Sequence, residues 1–196
     1  MASFKMTQGV SRVPEDVFVE DGMTVTSGGL TVTAGGITVT AGTTDLSGSF
    51  IRDLVTLTED TTITNAAHAG RVLLMGEVGG DAAATFTLPA ATGTGSVFKF
   101  VVSVVNTSNY LIKVADATDT IDGQIMITDA DGTDASSMVT AATSDTITLN
   151  GTTTGGGAIG DYVEVIDIAS NQYAVNGMVT CAAGSNPATM FSATVS

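Results

Sequence analysis

The chain has 196 residues, only 13% of them charged, yet it carries a net charge of −14. That length holds one ordinary domain plus an appendage, and the charged share is about half the usual one. The six cations (Lys5, Arg12, Arg52, Arg71, Lys99, Lys113) are scattered, which excludes the clustered Lys and Arg that phosphate contacts need, so no nucleic-acid partner is expected.

No run of about 18 apolar residues exists, so no membrane partner is expected. The first residues lack the apolar core of a signal peptide, and we expect a soluble chain made in the cytoplasm. Cys181 is the single cysteine, so no internal disulfide can form. The 33 threonines and 23 glycines, with abundant Val and Ile, point to an all-β fold with tight turns. A surface so thinly charged is expected to be covered in part by neighbours.

Residues 1–20 read as an arm containing Pro14 and the apolar cluster Val17, Phe18 and Val19. The arm is too short to fold alone and docks on a partner or stays loose; Val17, Phe18 and Val19 are the candidate attachment residues. Residues 21–48 carry glycine-punctuated heptads: Gly-Met-Thr-Val-Thr-Ser-Gly, Gly-Leu-Thr-Val-Thr-Ala-Gly and Gly-Ile-Thr-Val-Thr-Ala-Gly. Each heptad is a short strand, with apolar pairs Met23/Val25, Leu30/Val32 and Ile37/Val39. Val25 and Leu30 are five positions apart, so in one continuous strand successive pairs would face opposite ways. The doublets Gly28-Gly29 and Gly35-Gly36 must turn the chain to align them, which glycine permits. A ladder this thin cannot bury its own stripe, and the six apolar residues are expected to form the seam of a homotrimer.

From residue 49 to 196 the period lengthens. Strands are predicted near 53–58, 71–75, 84–88, 96–105, 110–115, 121–128, 145–149, 161–168, 171–180 and 189–195, with turn signals between them. Thr85–Leu88 and Thr146–Leu149 alternate as half-buried antiparallel strands do, and the nearly continuous apolar run Val97–Val105 is expected to be central. Ala66–Ala69 and Ala141-Ala142 amount to single helical turns at most. Ten short strands predict an antiparallel β-sandwich or barrel.

Three stretches carry a resemblance: Phe86–Val102, Ile112–Gly123 and Ala142–Gly156. They resemble β-rich modules of tailed-bacteriophage virion proteins, and the Gly-Leu-Thr-Val-Thr heptads are similar to shaft segments of phage fibres. The resemblance covers roughly residues 21–165 and brings no residue-level functional motif. It implies a virion structural protein, usually a homotrimer. Modest length, acidity and the N-terminal arm favour a decoration or cement protein on the outside of a phage head. Its expected partners are itself and the major capsid protein, and its place is the virion, assembled in the host cytoplasm. The alternative is a short fibre or spike that binds a host receptor. Twenty-one strand residues reach at most about 70 Å at ~3.3 Å each, which is short for a shaft.

The chemistry-bearing motifs are weak, and neither an enzyme activity nor a cofactor is expected. Gly155-Gly156-Gly157-Ala158-Ile159-Gly160 satisfies G-x-G-x-x-G. A strand pattern follows it, where a dinucleotide site needs a helix, so a glycine-rich hairpin loop is the reading. Asp129, Asp131 and Asp134 offer hard oxygens suited to calcium and are the candidate cation ligands. They lack the spacing and closing Glu of an EF-hand, and a solvated Asp-Gly turn accounts for them. Asp116, Asp119 and Asp122 form a second acidic loop. His68, the sole histidine, has no nucleophile elbow to match it. Cys181 reads as a small buried hydrophobe, and the adjacent pairs Glu15-Asp16 and Glu59-Asp60 point apart on strands.

Overall fold

The computed structural model describes residues 51–76, 82–105 and 108–195. The arm with Val17, Phe18 and Val19, and the heptads with Met23, Val25, Leu30, Val32, Ile37 and Val39, lie outside the described residues.

Among the described residues twelve strands and one helical turn follow in order: β1 (Leu54–Leu57), β2 (Thr61–Thr62), α1 (Asn65–His68), β3 (Val72–Met75), β4 (Ala84–Thr87), β5 (Val97–Val102), β6 (Tyr110–Lys113), β7 (Thr120–Asp129), β8 (Ala135–Val139), β9 (Thr146–Leu149), β10 (Tyr162–Ala169), β11 (Gln172–Cys181) and β12 (Phe191–Ser192). They build a seven-stranded sheet in the order β1-β3-β5-β10-β11-β7-β8 and a five-stranded sheet in the order β12-β9-β6-β4-β2. The two sheets close on one core. Phe86 of the smaller sheet stacks on Phe100 of the larger at 5.8 Å, and on its own neighbour Tyr110 at 6.1 Å.

The all-β expectation holds, but the purely antiparallel one does not. Five of the ten strand pairings are parallel, and β4, expected to be antiparallel, runs parallel to both β2 and β6. The cause is the path of the chain. From β1 to β6 each strand lies in the sheet opposite its predecessor, so every second strand returns in the same direction. A parallel pair needs a crossover of a dozen or more residues, and here the facing sheet supplies it in place of a helix. Only from β7 onward do hairpins appear, with β7–β8 and β10–β11 antiparallel.

All ten predicted strands have an observed counterpart, and β5 lies inside its sheet as expected. The two strands missed are β2, with only two residues, and β8, whose Ala-Ser-Ser-Met-Val lacks the β-branched signal and sits at a sheet edge. Alternation decides burial: in β5, Phe98, Phe100 and Val102 are buried, while Val97, Lys99 and Val101 are only partly covered. Where β7 and β11 run parallel, a Cβ at Gly123 would overlap the Val175 carbonyl oxygen, and its φ of +144° lies outside what L side chains adopt readily.

Candidate functional site

The glycine-rich loop is closed by the protein's own carboxylate. Gly156, Ala158 and Thr180 donate their N–H groups to Asp161 Oδ2 at 3.0, 3.4 and 2.7 Å, and Gly157 N–H donates to the Thr180 carbonyl at 2.8 Å. A phosphate placed here would find these donors engaged. The chain continues directly into β10 rather than a helix. Burial, more than the hydrogen bonds offset, raises the Asp161 pKa above its ordinary value.

The candidate cation ligands turn inward on their own loop. Asp129 Oδ1 accepts the Asp134 N–H at 3.0 Å and Oδ2 accepts the Thr133 hydroxyl at 2.9 Å, while Asp131 Oδ1 accepts the Thr133 N–H and hydroxyl at 3.1 and 2.8 Å. This is the Asp-Gly turn of the β7–β8 hairpin. Contact with the Asp131 side chain, then the Asp134 N–H and Thr133, hold the Asp129 pKa down to about 2. No group of three or more His, Cys, Asp or Glu among the described residues is arranged to hold a metal ion.

The acidic loop 116–122 is dispersed. Asp116 caps its own turn, accepting the Thr118 N–H and hydroxyl, and the Thr118 hydroxyl chiefly lowers its pKa. Asp119 is buried just before β7, and Asp122 Oδ2 accepts from Gln172 Nε2 at 2.8 Å. His68 is buried at the end of α1, where its Nδ1 accepts the Thr64 N–H at 3.0 Å and closes the helical turn. Cys181 is fully buried, and loss of water raises its thiol pKa, which makes it unreactive. Of the pair Glu59-Asp60, Asp60 Oδ1 accepts the Thr85 N–H at 2.7 Å. Apart from Asp129 and Asp131, which share the Thr133 hydroxyl, the structure brings none of these groups together around a common point.

Among the described residues five aspartates are buried, Asp119, Asp129, Asp145, Asp161 and Asp167; from the sequence, Asp119 and Asp129 read only as members of acidic loops and the other three go unmarked. Each is in phase with the core-facing residues of a strand and sits at that strand's end. Asp167 is the fullest case. Thr92 and Gly93 donate N–H to its Oδ1 at 3.1 and 2.7 Å, and Thr94 donates its N–H and hydroxyl to Oδ2 at 3.0 and 2.7 Å. Burial alone would raise its pKa, but these donors outweigh burial and lower it. Asp119 Oδ2 accepts the Ala91 N–H in the same loop, and the Tyr173 hydroxyl donates to Pro89 O at 2.6 Å. Asp145 accepts the N–H groups of Thr194 and Val195 at 2.8 and 3.1 Å and so fastens the C-terminal tail. Among the described residues no buried polar side-chain atom lacks a partner. The sequence signal for all five was the phase: Asp161, Val163, Val165 and Asp167 share one face, as do Asp145, Ile147 and Leu149.

Two surface features complete the body. A shallow groove of ≈ 250 Å³ on the smaller sheet is lined by Asp60, Thr61, Thr62, Thr85, Thr87 and Lys113. The outer face of the larger sheet is broad and mainly apolar, with Leu54, Met126, Val139 and Met178 exposed. No protein-family model matches the chain, and no curated protein and no solved structure matches it either.

Proposed function

We propose that this chain is a virion structural protein: a homotrimeric decoration or cement protein on the outer surface of a bacteriophage head, with itself and the major capsid protein as partners. The reading starts from the sequence resemblance over residues 21–165. The observation that carries it is how the body uses its polar groups. Carboxylates, hydroxyls and loop N–H groups are engaged with one another in holding loops in place, while the outward surface is broad and thinly charged. A scaffold of that kind suits binding by area, not chemical turnover. A cement protein bridges neighbouring capsid subunits and stabilises the bound state by mass action.

Particles lacking the protein are expected to assemble and then fail earlier under heat or osmotic shock, with normal adsorption to cells. A receptor-binding fibre or spike predicts the reverse pattern. Melting and adsorption of a deletion phage, measured side by side, separate the two, and intact stability with absent adsorption overturns the decoration reading. Removing residues 1–20 is expected to leave a folded protein that no longer binds particles.

A further inference from the structure

We propose that the outer face of the seven-stranded sheet is buried against a second copy of this chain in the assembled protein. The register lays down its rows. One runs Thr56, Leu74, Val101, Tyr162, Met178, Met126 and Ser137 across all seven strands, and it contains no charged residue. The next runs Leu54, Val72, Lys99, Glu164, Asn176, Gln124 and Val139, where Lys99 and Glu164 stand directly opposite each other. Lys99 also lies over the Tyr162 ring, its Nζ 4.6 Å from the centroid.

These rows are therefore neutral on a chain of net charge −14. Two copies approaching by any acidic surface repel, whereas here they meet without bringing like charges together. A partner attracted by charge would seek an acidic patch, and this face offers none in its two central rows. Exposure agrees: Leu54 is 66% exposed, Val139 65%, Met178 57% and Met126 42%, a density of apolar side chains unusual for surface left in water. Strands ~4.8 Å apart with ~3.3 Å per residue give the sheet a projected area of roughly 700 Å², close to the roughly 800 Å² per partner of a stable interface. In a trimer this face meets a different surface of the neighbouring copy around the axis, and its row of Met, Val, Leu and Tyr offers side chains that can interdigitate there. This inference requires only self-association and stands apart from any virion role.

The test uses the full chain and compares mass and dissociation constant by light scattering and native mass spectrometry. Met126→Asp with Met178→Asp places two carboxylates at exposed register partners on adjacent strands of the face, and thermal melting of each variant checks that the monomer's fold withstands the opposed charges. A control, Thr152→Asp with Asn186→Asp, adds the same charge at exposed loop positions away from the face. The face variant is expected to associate at least ~100-fold more weakly, with an unchanged circular dichroism spectrum, while the control keeps the wild-type mass. A monomeric wild-type chain overturns the proposal, as does an unaltered assembly in the face variant. If Leu30→Asp with Val32→Asp alone dissociates the protein, the heptad seam stands and the face does not. If the face variant stays assembled but loses capsid particles, the face belongs to a foreign partner.

Discussion

The two halves of the described chain solve one problem in different ways. From β1 to β6 the chain shuttles between sheets, so its strands pair in parallel with partners far away in sequence. From β7 to β12 it makes hairpins and closes the edges those six strands leave. Among the described residues the shuttling half ties its own segments with Asp60 on the Thr85 N–H, the Ser103 hydroxyl on the Met75 carbonyl at 2.8 Å and the Tyr110 hydroxyl on the Val104 carbonyl at 2.8 Å. The hairpin half supplies all five buried aspartates, and two of them, with Tyr173, reach back to hold the loop between β4 and β5. Parallel crossovers are costly in chain entropy. The hairpin half contributes the fixed donor–acceptor contacts that set where the last crossover runs.

The sharpest way to break that division is Asp167→Ala. It leaves the N–H groups of Thr92, Gly93 and Thr94 without their acceptor, in a loop whose own residues are exposed and whose bonds to the buried Asp167 are partly covered. Each orphaned donor costs on the order of 1–3 kcal/mol where water cannot reach it, and partial access lowers the sum, so a loss of about 3–5 kcal/mol is expected in urea unfolding. Hydrogen exchange should rise first at residues 92–95 and not at Thr85, whose partner is in the shuttling half. A loss below about 1 kcal/mol, or uniform exchange, would show that the loop is held by its own packing.

Tyr173→Phe is milder, because it removes one hydroxyl from the same loop and leaves the ring in the core. Its bond to Pro89 O is 2.6 Å, and burial together with the charges of Asp167 and Asp119 raises the phenol's pKa, keeping it a donor. The expected cost is about 1–2 kcal/mol. Combined with Asp167→Ala it should be less than additive, since both act on one loop. Full additivity in a double-mutant cycle would mean two independent locks.

How much of this the residues announce follows the same division. Positions of the strands with a buried face are legible in both halves, because Phe98/Phe100/Val102 and Ile147/Leu149 mark such faces whichever way a neighbour runs, whereas β2 and β8 are not. Direction is not legible in the shuttling half: Thr85-Phe-Thr-Leu has the same alternation in a parallel pair as in an antiparallel one, and only the connection decides. β8 escapes notice because an edge strand with one neighbour needs little β-propensity. The acidic motifs mislead through spacing. Asp129, Asp131 and Asp134 look like a ligand set along the chain, yet Thr133 between them and the Asp134 N–H take up two of the carboxylates. The residues with structural weight, Asp161 and Asp167, betray themselves only by occupying the core phase of a strand.

The smallest effect concerns acid. Asp129 has a folded pKa of about 2 against an ordinary 3.8, so folded protein binds fewer protons than unfolded chain between those values. Its contribution to stability is present in full above about pH 4 and is lost as pH falls towards 2. Asp161 has the opposite sign: its raised value makes the folded state the better proton acceptor. Its contribution is therefore full below the ordinary carboxylate range and is lost as pH rises through the raised value. The melting temperature should accordingly show an acid limb and a shallower decline towards neutrality. Thr133→Val removes a hydroxyl from Asp129 Oδ2, moves that pKa part of the way up and makes the acid limb shallower, Asp116 and Asp167 still contributing to it, and leaves the neutral side alone. Asp161→Asn removes its share of that decline and leaves the acid limb; Asp119, whose burial also raises its pKa, supplies the rest of the decline. Because Asp129 closes a hairpin turn and Asp161 the glycine-rich loop, the two variants should not interact. An acid limb of unchanged depth in Thr133→Val would mean that Asp131 and the Asp134 N–H alone hold the carboxylate, and that the hydroxyl is incidental.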